Sequence, residues 1–92
     1  MIHSPKVHPG RVLLDELDER NITQSSLAQH IGVLSKTVNE ICRAKRGISA
    51  EMAVKLSLAL GGSPQFWMNL QTQWELSQVD TRAIRKIKPI AA

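Results

Sequence analysis

Four hydrogen-bonding side chains stand close together at Ser35, Lys36, Thr37 and Asn39. The chemistry open to such a set is recognition rather than bond-breaking. Asn can pair bidentately with adenine, Lys with the acceptor edge of guanine, and a Thr methyl can touch a thymine methyl. Val38 and Ile41 are apolar, so a helix here would turn them inward and leave the polar groups out. Nearby stand Gln24, Arg43, Lys45 and Arg46, groups suited to phosphate oxygens, which position a protein on DNA without reading its sequence. Spacing alone also allows a blander reading, a helical bundle whose Gln24 and Asn39 are merely solvated.

Nothing comparable points to catalysis. His3, His8 and His30 are scattered, and none pairs in sequence with the single cysteine, Cys42. There is no Gly-rich phosphate loop, no His-Glu metal motif and no carboxylate pair in an apolar setting. Asp15, Glu16, Asp18 and Glu19 read as a solvated helix face. No enzyme, cofactor or metal ligand is expected. One cysteine cannot close an internal disulfide, which fits a reducing compartment. The opening Met1–Lys6 lacks the apolar stretch of a signal peptide, and nothing later could span a bilayer. The expectation is a soluble cytoplasmic protein that does not engage membranes.

The elements that must position the polar cluster are helices. Ninety-two residues leave room for one core. The first helix opens at His8-Pro9-Gly10, since proline is favoured at the first helical position, and Leu13 and Leu17 share its inner face. Thr23 caps a second helix that turns Leu27, Ala28 and Ile31 inward, and Gly32 ends it. A third helix begins near Leu34 or Ser35 and runs to about Arg43. Ser49 caps a fourth, stopped by Gly61-Gly62, and Ser63-Pro64 opens a fifth that runs to about Leu76. Gln24–Cys42 is thus two short helices joined by a tight turn, with Ala28 small enough for a close crossing: a helix-turn-helix. The outer face of its second helix, near the N-terminus, is where such a helix meets base edges.

Net charge is +4, but its distribution is the more telling quantity. Residues 36–55 and residues 80–92 each carry an excess of +3, and residues 1–35 a small acidic excess. One basic zone therefore coincides with the proposed reading helix. Residues 1–7 read as an N-terminal arm, 8–76 as the helix-turn-helix domain, and 77–92 as a basic, loosely ordered tail with room for a short helical turn. That tail can be a solvated end, a phosphate contact or an arm toward a partner. Phe66, Trp67, Leu70 and Trp74 can be plain core, yet with Leu76 they offer more apolar surface than one amphipathic stripe needs. A homodimer interface through the fifth helix is therefore expected, setting two reading helices roughly 34 Å apart.

A broader pattern adds to these local ones. His8-Pro9-Gly10, Gln24 through Ile41, Lys45 through Ala53, and above all Leu60-Gly61-Gly62-Ser63-Pro64-Gln65-Phe66-Trp67-Met68-Asn69-Leu70-Gln71 resemble the HigA antitoxin family. That family is a branch of the Xre-type, lambda-repressor-like helix-turn-helix proteins, and the resemblance covers roughly residues 7–76. It implies an all-α, five-helix domain that binds double-stranded DNA at an operator in its own promoter as a homodimer. It also implies a partner toxin similar to the RelE-like ribonucleases of the HigB family. A stand-alone repressor without a toxin, or an interaction module that has lost DNA binding, are the alternatives. Two positions depart from the family: Arg43-Ala44 replaces the usual Asn-Gly after the third helix. Leu34 replaces the usual Ser or Pro before it, which predicts that Ser35 takes over as cap.

Overall fold

Four of the five long helices begin on a side-chain acceptor that satisfies a free N–H of the first turn. In the computed structural model, which describes residues 7–91, α1 (Pro9–Glu19) follows His8, whose Nδ1 accepts from the Gly10 N–H at 2.9 Å. Thr23 Oγ1 caps α2 (Gln24–Ile31) by accepting from Ser26 N–H at 3.0 Å. Ser49 Oγ caps α4 (Ala50–Leu60) through Met52 N–H at 3.1 Å, and Ser63 Oγ caps α5 (Pro64–Ser77) through Phe66 N–H at 3.3 Å. Most of the arm read at residues 1–7, His3 included, lies outside the described residues.

Helix α3 (Ser35–Cys42) breaks the pattern, and here the expected cap is corrected. Leu34 occupies the cap and makes no side-chain hydrogen bond, while Ser35 is already helical. The first turn of α3 therefore keeps its N–H groups free of side-chain acceptors. The other end of α3 closes tightly: Lys45 N–H reaches the Glu40 carbonyl at 2.8 Å and Ala44 N–H the Ile41 carbonyl at 3.0 Å. This is the double closure that wants a left-handed residue, and Ala44 supplies it at φ 58° despite its Cβ. Ala44 thus takes the left-handed conformation that glycine favours, without being glycine. Gly32, at φ 72°, makes the corresponding turn after α2.

The core draws on every one of α1–α5. Leu13 and Leu17 of α1, Leu27 and Ala28 of α2, and Val38 and Ile41 of α3 meet Met52, Ala53, Leu56 and Leu60 of α4. The third helix is held from one further side, by α1. A Cβ placed on Gly10 would lie 1.7 Å from the Ile41 carbonyl oxygen, so α1 rests backbone-to-backbone on the end of α3, and only glycine permits it. At the other end of α1, Arg20 Nη2 donates to the Leu60 carbonyl at 2.8 Å and ties α1 to the last turn of α4.

After the five helices of the domain, the tail forms the short helical turn it had room for, α6 (Thr81–Ile84), opened by Asp80. One expectation needs correction. Trp67 belongs to the core, 2% exposed among the buried side chains, so it is not available to a dimer partner. Helix α5 carries large apolar groups on more than one side, and the one that faces α1 and α4 is the one the core absorbs.

Candidate nucleic-acid interface

Helices α2 and α3 meet across the Gly32 turn, with Leu27, Ala28, Val38 and Ile41 locking the crossing from inside. This leaves Ser35, Lys36 and Asn39 exposed on the outer face of α3, with Thr37 half-buried at its flank. Arg43, at the end of the same face, is exposed as well. The polar residues singled out by spacing are thus brought to one surface, at and beyond the uncapped N-terminus of α3.

The structure adds a pairing that spacing does not reveal. Asn39 Nδ2 donates to Gln24 Oε1 at 3.1 Å, across the helix crossing. Gln24, assigned above to phosphate, is therefore also the group that holds the Asn39 amide in place. One oxygen of Asn39 stays free to accept, and the Gln24 amino group stays free to donate. Ser35 Oγ lies 3.5 Å from Ser25 Oγ, so the exposed start of α2 and the start of α3 form one continuous polar edge.

The basic residues divide into two kinds. Arg46 donates to Glu40 Oε1 through Nε at 3.2 Å and Nη2 at 2.9 Å, so its charge is largely answered within the chain. Lys36, Arg43 and Lys45 are exposed and have no ion pair among the described residues. Three uncompensated cations around a polar helix face make a surface of the sign that attracts phosphate. The thiol of Cys42, half-buried behind this face, is pushed up in pKa by burial and by the nearby Asp18, which keeps it an unreactive apolar group.

Sequence reasoning missed the side chain that positions Lys45 and Arg46. Gln71 of α5 is buried, and its Oε1 accepts from the Ile48 N–H at 2.7 Å while its Nε2 donates to Glu75 at 2.9 Å. A Cβ on Gly47 would strike the same amide at 2.7 Å. The loop between α3 and α4 is thus pinned onto α5 by one amide. The sequence carries no local signal for it, since Gln71 is one of three glutamines in α5. Trp74, expected at a dimer interface, is half-buried and packs edge-to-face on His8, with ring centres 5.4 Å apart. Phe66 remains 48% exposed and Leu70 half-buried against the core.

A short turn, a locked crossing and a polar, cation-flanked outer helix define a helix-turn-helix protein. The helix-turn-helix family model matches residues 13–67. The HTH-type transcriptional regulator YddM of Escherichia coli is 34% identical over 83 residues, covering 86% of this chain and 88% of that protein. Antitoxin HigA-1 of Vibrio cholerae is 32% identical over 88 residues, covering 91% of this chain and 83% of its own length. The structure of the Pseudomonas aeruginosa antitoxin HigA with the higBA promoter superposes with a TM-score of 0.88 at 41% identity, over 96% of this chain and 100% of that one. The chain belongs to the helix-turn-helix family and, within its Xre-like branch, to the HigA type.

Proposed function

We propose that this chain is a DNA-binding antitoxin that represses its own promoter as a homodimer and neutralises a HigB-like, RelE-type ribonuclease. Ser35, Lys36, Thr37 and Asn39 read bases, and Gln24, Arg43, Lys45 and Arg46 hold phosphates. The observation that carries the DNA assignment is the Gln24–Asn39 amide pair, set on an exposed helix face beside three unpaired cations. A fixed amide loses little freedom on meeting a base, which favours discrimination over loose attachment. Arg46 joins the phosphates by sharing its guanidinium with Glu40. The likeness to a HigA antitoxin solved with its promoter supports the operator as target. Working on an operator places the protein in the cytoplasm.

The dimer reading keeps Phe66 and Leu70 of the α5 set, because Trp67 is core and one edge of Trp74 is taken by His8. The likeness to YddM, a transcriptional regulator by name, favours a second reading, a repressor with no toxin. A neighbouring reading frame for a short basic RelE-like protein decides for the first, and its absence for the second. A gel shift on the chain's own promoter at low and at raised salt tests DNA binding itself. Retardation that weakens steeply with salt is expected; none at low salt leaves only an interaction module.

A further inference from the structure

Among the described residues, α3 is the one long helix with no side-chain acceptor at its start, because Leu34 stands in the cap position. Leucine is a poor residue there, where Ser, Thr, Asn or Asp would bind a free N–H of the first turn. Leu34 also carries a second cost. It is 73% exposed, the one large apolar side chain of α2 and α3 left in water, while Val33 before it and Val38 after it pack with the core. A lone exposed leucine is ordinary on a protein surface, but the setting of this one is not. Ser35 and Lys36 follow it directly and are exposed, and Ser35 Oγ lies 3.5 Å from Ser25 Oγ. Thr37 comes one turn on, its N–H donating to the Leu34 carbonyl at 3.0 Å. An isolated apolar group on a polar, cationic edge is ill matched to a protein partner, whose interface core is continuous and apolar. It is matched to the major groove of DNA, where the edges of the base pairs are polar except for the 5-methyl of thymine.

We infer that Leu34 is a specificity-determining residue, selecting thymine by packing its isobutyl group against the 5-methyl of the base in the major groove. The inference rests on the DNA-reading surface proposed above and extends it by one position, to the residue before Ser35. Place favours it, because the N-terminal end of such a helix is the part that meets base edges. Its backbone favours it too: Leu34 is extended rather than helical, so it enters α3 from outside and stands clear of the buried row of Val38 and Ile41. Cap and contact compete for one side chain. A hydroxyl bent back onto the first turn is engaged by the helix, and a leucine directed outward cannot cap it. The stability of α3 and the affinity for DNA are therefore opposed at this one position.

A cycle that removes the leucine and the methyl in turn tests this. Wild type and Leu34→Ala are titrated by fluorescence anisotropy against duplexes of the chain's own promoter in which each thymine, one at a time, is replaced by deoxyuridine. That replacement deletes the 5-methyl and keeps the base pair. At one thymine or more it is expected to weaken wild type about fourfold, the worth of one buried methyl group, and to leave Leu34→Ala unchanged. On the unmodified promoter Leu34→Ala should itself bind about fourfold more weakly or worse, with no change on a scrambled duplex. Leu34→Ser should raise the urea midpoint, by restoring a cap, while it lowers promoter affinity; a merely structural role would move the two together. A deoxyuridine penalty equal in wild type and Leu34→Ala gives the methyl to another side chain and overturns the inference. So does a wild type indifferent to every replacement. In both cases base reading by Ser35, Lys36, Thr37 and Asn39 stands. Promoter affinity that rises with stability in Leu34→Ser also overturns it. A wild type that does not bind its promoter at low salt overturns the DNA reading and the inference together.

Discussion

Gly10→Ala is the substitution for which the structure and helix propensity disagree about the sign. An alanine in place of a helical glycine ordinarily stabilises by up to about 1 kcal/mol. Here the added Cβ would lie 1.7 Å from the Ile41 carbonyl oxygen and 2.7 Å from its carbon, where ordinary contact begins near 3.4 Å. Both obstacles are backbone, so no side-chain rotation relieves them. The start of α1 must back away from α3 by well over an ångström, at an overpacking cost of about 1–3 kcal/mol or more. The net expectation is a loss of about 2 kcal/mol, seen as a fall of about 1–2 M in the urea midpoint for a chain of this size. Because α1 supports the end of α3, promoter affinity should fall too, even at temperatures where the variant is folded. Equilibrium unfolding read by circular dichroism supplies the first number and fluorescence anisotropy the second. An unchanged or raised urea midpoint would refute the close approach of α1 to α3.

Three further outcomes follow from single residues. Ala44→Gly should stabilise by about 1 kcal/mol, since the position is held at φ 58° and a left-handed conformation costs a residue with a Cβ about 1–2 kcal/mol; thermal unfolding measures it. Burial lowers the pKa of His8, whose Nδ1 must stay unprotonated to accept from Gly10. The unfolded chain, near the ordinary 6.5, therefore takes up that proton first as the medium is acidified. The His8 contribution to stability is complete above that value and lost as pH falls below it. His8→Asn keeps a cap acceptor without the proton, so its unfolding free energy, subtracted from that of wild type, should show this slope between pH 7.5 and about 5. Lys45→Ala should weaken promoter and unrelated DNA alike and flatten the salt slope by about one ion, as measured by titration across a salt series.

The fold was legible in the sequence wherever the signal is local. Thr23, Ser49 and Ser63 cap their helices through the next few residues, and Gly32 turns the chain by its own φ. The alternation of Leu27, Ala28, Val38 and Ile41 with polar residues set the inner face of the helix pair, because helical period decides it. What escaped depends on distance along the chain. Gln24 meets Asn39 fifteen residues away and Gln71 meets Ile48 across twenty-three, and no spacing rule encodes either. The fate of Trp67 and Trp74 escaped for another reason: apolar groups ring α5, so periodicity cannot say which of them faces inward. The exposed aliphatics of the tail escaped because four Val and Ile side chains interleaved with as many Lys and Arg mark no face by period alone.

Under the proposed function Asn39, steadied by Gln24, reads a base. Fluorescence anisotropy with Asn39→Ala on the chain's own promoter and on a scrambled duplex of equal length measures this directly. The expected result is a loss of about 1–3 kcal/mol on the promoter and no change on the scrambled duplex. An equal loss on both would contradict it.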